Sequence, residues 1–88
     1  MSIFAKTKTT IWGTKNAWSL SPENKPNAPS QSCEIRLEIQ GNKKQGFHLV
    51  MRPTGFFTAD SWYASQSEAL ADANEWFELP ADAWSTQA

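Results

Sequence analysis

Four carboxylates, Glu68, Asp72, Glu75 and Glu78, recur at short intervals near the end of the chain. On a helix, the i, i+4 and i+7 spacing of the first three puts them on one face. Such a face could collect a hard cation, but a cation needs oxygen ligands converging from several directions. The sequence offers no second cluster to supply them. A solvated acidic face is the simpler reading, and its chemistry is electrostatic steering of a basic partner. The charge distribution fits that reading, and fits equally attraction between the helix and its own more basic sheet. Residues 1–52 carry eight basic side chains against three acids, a net +5. Residues 53–88 carry six acids and no lysine or arginine, a net −6.

Other chemistries are poorly served. One histidine and one cysteine cannot build a Cys/His zinc site, which takes three or four such ligands. Cys33 falls at the inward phase of a strand, where a thiol is an inert core residue. His48 falls at the outward phase, near Arg52 on its own strand and near Glu38 or Arg36 across a hairpin. A lone surface imidazole has no partner group to make it a catalyst. Phosphate loops and dinucleotide fingerprints are absent. The expectation is a non-enzymatic protein with no catalytic residue, metal or cofactor.

Nucleic acid is a separate question. Phe4 and Trp12 share a strand phase with Lys6 and Lys8, Arg36 and Arg52 lie on strands, and Lys43 and Lys44 sit at a hairpin tip. A sheet face of this kind suits a single strand. No RNA-binding motif accompanies it, and the acidic helix would repel phosphate unless it lay on the far side. Nucleic acid is therefore the lesser expectation.

The elements that position these residues can be read from periodicity. Residues 3–12, rich in Thr, Ile and aromatics, form a strand. Residues 17–20 return as a short second one. Residues 21–32, with three prolines, form a loop. Residues 33–40 alternate without a fault: Cys33, Ile35, Leu37 and Ile39 point one way, and Glu34, Arg36, Glu38 and Gln40 the other. Residues 41–46 turn, and Phe47, Leu49 and Met51 point inward from the next strand, leaving His48 and Val50 on the second face. A tight turn with Pro53 at its first central position leads to a strand over 56–62. Ser65 and Glu68 form a capping box. Ala69, Leu70, Ala73, Trp76 and Phe77 make one apolar helical stripe, ended by Pro80. The fold class that follows is α+β: a two-layer domain with an antiparallel sheet of three to five strands and one C-terminal helix packed across it. Residues 1–88 make one domain, with 21–32 as its proline-rich loop. Five tryptophans in so small a domain imply that one or two stay at the surface.

Asp60-Ser61-Trp62, then Ser65-Gln66-Ser67-Glu68-Ala69, then Ala73, Phe77, Leu79 and Trp84, resemble the C-terminal stretch of small uncharacterised bacterial proteins. Some of those are of immunity-protein type. The resemblance covers residues 60–84 and implies a bacterial, cytoplasmic protein that binds another protein. In that reading Asp72, Glu75 and Glu78 steer a basic partner, and Trp62 or Trp84 anchors it. Self-association as a homodimer, a small-molecule pocket, and a single-strand binder on the basic face are the alternatives. One cysteine leaves no disulfide within the chain, and no apolar run approaches the ~20 residues that span a membrane. No signal-like apolar segment follows Met1-Ser2-Ile3. All three fit a cytoplasmic protein without a membrane partner.

Overall fold

A computed structural model describes residues 2–20, 29–80 and 82–86. The fold is α+β, with one antiparallel five-stranded sheet and one C-terminal helix. The strands are β1 (Ser2–Thr14), β2 (Ala17–Ser19), β3 (Ser30–Asn42), β4 (Gly46–Pro53) and β5 (Ala59–Tyr63), followed by α1 (Gln66–Phe77). Their order across the sheet is β2-β1-β3-β4-β5. Residues 2–14 thus join the main sheet, and β3, the strand with unbroken alternation, lies at its centre.

The register explains the core. Ala5 faces Leu37, and Leu37 faces Met51; Ile3 faces Ile39, and Ile39 faces Leu49. Odd-numbered residues of neighbouring strands therefore share one face, because side chains alternate along a strand. Ile35, Leu37, Ile39 and Leu49 are almost completely buried there. Ala69, Ala73 and Phe77 of α1 join the same cluster, two small residues letting the helix approach before Phe77 fills the end. Ile11 is also fully buried, on the same phase of β1 but outside that cluster.

Several boundaries differ from the sequence reading. β3 starts at Ser30, so the predicted loop is shorter at its C-terminal end; residues 21–28 lie outside the described residues. Polar Ser30, Gln31 and Ser32 extend because β1 gives them partners, from Trp12↔Ser30 to Thr10↔Ser32. Pro53 ends β4 and is buried. The turn centres on Thr54 and Gly55, closed by the Phe56 N–H donating to the Pro53 carbonyl at 3.1 Å. Residues 56–58 are not strand: Phe57 instead bridges to the β1–β2 turn, donating its N–H to the Lys15 carbonyl (3.0 Å) and accepting from the Trp18 indole (2.9 Å). These turns belong to opposite halves of the sheet. In a flat sheet, strands β1 and β4 would stand two spacings, about 10 Å, apart. The sheet must curl to bring them together.

The helix ends as capping chemistry requires. Ser65 Oγ accepts from the Glu68 N–H and donates to its carboxylate, both at 3.2 Å. At the other end Leu79 precedes Pro80 and is disfavoured in helical conformation. The helix stops earlier still, with Glu78 in the left-handed region at φ 53°, ψ 47°. The sequence puts Trp76 in the apolar stripe, yet it is 42% exposed. The stripe is narrower than predicted, centred on the Ala69–Ala73–Phe77 ridge, and Trp76 falls beyond its edge.

Candidate functional site

The five residues singled out by sequence do not lie on one surface. Trp62 comes from the even phase of β5, the side of the sheet away from the helix. It is 58% exposed, the most exposed large hydrophobic side chain among the described residues. Its ring is nevertheless held: the indole N–H donates to the Gln45 carbonyl at 3.2 Å. The other restraint is Gly46, whose φ is 91° and whose missing side chain leaves the space that the Trp62 ring occupies. Any Cβ there would collide with the indole.

Asp72 is half-buried and engaged, accepting a 2.9 Å hydrogen bond from the Tyr63 hydroxyl. Burial, together with that hydrogen bond and the nearby carboxylate charge, pushes the Tyr63 hydroxyl up to about 12. The phenol therefore stays protonated and donating throughout the neutral range. Trp62, Tyr63, Ala64, Glu68, Ala71 and Asp72 line a shallow groove of about 490 Å³ along the β5 edge. Glu75 and Glu78 are exposed further along the helix. Trp62 thus stands at a boundary, with helix carboxylates on one side and the hairpin tip bearing Lys43 and Lys44 on the other.

Trp84 is placed quite differently. It is half-buried, packs on the core cluster and donates its indole N–H to the Asn74 side-chain oxygen at 2.9 Å. The Asn74 backbone carbonyl also accepts from Leu79 and from Glu78. Asn74 is therefore the organiser of the helix end and the tail, a role no sequence signal marks. The tail then reaches the edge of β1, where Ser85 and Phe4 exchange backbone hydrogen bonds of 2.7 and 2.9 Å.

A larger groove, about 780 Å³, is lined by Phe4, Lys6, Arg36, Glu38 and Arg52 of the second face together with Ala5 and Leu37 of the core phase and the tail residues Ala83 and Ser85. Arg52 donates to Glu38 at 3.1 Å, and the Glu38 side chain is only 14% exposed. His48 is exposed and lies 3.7 Å from Asp60 on β5, a neighbour set by the β4–β5 register rather than by the β3–β4 hairpin. Burial pushes the Cys33 thiol up, against a smaller lowering by a backbone hydrogen bond from Thr54, which disfavours the nucleophilic thiolate. Among the described residues no three His, Cys, Asp or Glu side chains converge as metal ligands, and no helix is long and apolar enough to cross a membrane.

The chain matches no family model, and no curated protein or solved structure shows significant similarity to it.

Proposed function

We propose that this is a small non-enzymatic protein-interaction domain that binds a basic partner beside Trp62. The observation that carries the reading is an aromatic side chain 58% exposed yet fixed by its own hydrogen bond. Exposed indoles are costly to leave in water, and a ring already held loses little entropy on binding. The groove it borders supplies Glu68 and Asp72, with Glu75 and Glu78 further along the helix. Carboxylates there speed encounter with a cationic surface, while Trp62 supplies the apolar contact that slows dissociation. The domain acts as a two-layer body, with helix and sheet giving the groove a rigid wall. An immunity-type inhibitor of a basic enzyme is the most concrete form of this function. Trp84 has no part in it, because its indole already serves Asn74.

Affinity capture from the producing cell, comparing the wild type with Trp62→Ala and with Glu68→Lys/Glu75→Lys, identifies a partner that must then bind as a pure protein. Each variant is expected to weaken the purified complex at least tenfold while its circular dichroism matches the wild type. A partner that binds all three proteins equally would show that the surface is wrong. Light scattering supplies the remaining outcome: a stable dimer broken by Trp62→Ala would assign the surface to self-association instead.

A further inference from the structure

We infer that the sheet face turned away from the helix binds single-stranded nucleic acid across β1, β3 and β4, at a site apart from Trp62, which stands on the same face but at its β5 edge. The register places Lys6 opposite Arg36 and Arg36 opposite Arg52, three cations abreast on β1, β3 and β4. Like charges directly opposite one another destabilise a sheet. Only Arg52 has a carboxylate, that of Glu38. Among the described residues neither Lys6 nor Arg36 has an ion pair. A row that costs the free protein stability, lining a 780 Å³ groove, fits a site that awaits an anion.

The rest of the face fixes the kind of anion. Phe4, Lys6, Lys8 and Trp12 share one phase of β1, so two aromatic rings bracket two cations. The eight residue steps from Phe4 to Trp12 span about 26 Å. That length exceeds a free nucleotide and suits several linked ones, with phosphates on Lys6 and Arg36 and bases stacked on the rings. Phe4 is also a groove residue, which puts a stacking surface beside the cationic row. Two of the acids on this face are matched, Glu34 standing opposite Lys8 and Glu38 pairing with Arg52, and Asp60 lies away from the row on β5. The helix that would repel phosphate packs through Ala69, Ala73 and Phe77 on the opposite face, together with Leu37 and Leu49.

Fluorescence anisotropy with a labelled oligouridylate of about eight nucleotides at low salt tests the inference. The wild type is expected to bind, with affinity falling as salt rises at a log–log slope of about −1.4 to −2.1, for two to three neutralised phosphates. Lys6→Glu should lower affinity at least tenfold and keep or raise the melting temperature, because it turns a like-charged cross-strand pair into an opposite one. Arg36→Gln should also weaken binding without loss of stability, and Phe4→Leu should weaken it by removing stacking. Glu75→Lys, on the helix, should leave affinity within about threefold, since a distant surface charge is largely screened. No binding at low salt, equal binding by Lys6→Glu, competition by pyrophosphate or uridine monophosphate as effective as by the oligomer, or equal binding of a duplex would each overturn it.

Discussion

Ile35, Leu37 and Ile39 on one side of β3 are at most 1% exposed, whereas Arg36, between them in sequence, stands exposed between Lys6 and Arg52. The two sides belong to the same strand, between the same two neighbours β1 and β4. They differ in residue type and in what lies over them. On the helix side, apolar side chains interlock with Ala69, Ala73 and Phe77, and a change of shape leaves a void. On the other side no described helix or strand covers the sheet, and three cations sit abreast. The contrast separates residues that hold the fold from residues that the fold merely displays.

The largest test of that contrast is Leu37→Ala against Arg36→Ala. Leu37→Ala removes a buried side chain and should cost about 3 kcal/mol in urea denaturation. Arg36→Ala should change stability by no more than about 0.5 kcal/mol, or raise it slightly. Equal losses at both positions would mean that the open face is also structural.

A second test concerns pH. The Tyr63 hydroxyl ordinarily titrates near 10 and is pushed to about 12 in the folded protein, first by burial and then by its bond to Asp72. Folding therefore favours the protonated phenol. This contribution is complete below about pH 10 and is lost as the pH rises through about 12. Tyr63→Phe should show a flatter decline of melting temperature over that window. Tyr63 is the only tyrosine, so phenolate absorbance follows it alone. A midpoint near 10 in the folded protein would dissolve the proposed link between β5 and the helix.

The smallest effect belongs to Glu78. Its left-handed conformation is strained for a residue with a Cβ and free for glycine. Glu78→Gly should raise stability by about 0.5–1 kcal/mol in the same denaturation experiment. A loss would show that the Glu78 side chain stabilises the helix end in a way that outweighs its strain.

Much of the secondary structure was legible in the chain. The alternation from Cys33 to Gln40, the capping box at Ser65 and the spacing of Ala69, Ala73 and Phe77 each encode a local preference that the fold keeps. Less legible were features that depend on a distant partner. Ser30 to Ser32 are polar and look like loop, yet they extend because β1 pairs with them. Phe56 to Thr58 look like strand, yet Phe57 is taken by Lys15 and Trp18. For the candidate residues the gap was wider. Trp62 and Trp84 look equivalent as surplus tryptophans, but one is held out over Gly46 and the other is turned in to Asn74.

By itself the sequence determined the element types, the inward phase of each strand and the division of the chain into a basic and an acidic part, because these follow from neighbours a few residues apart. Tertiary structure alone decided that β1 lies against β3, and so that Lys6, Arg36 and Arg52 stand in one row. Those outcomes depend on strand order and register, which are set by burial of the whole apolar face at once and leave no mark at any single position.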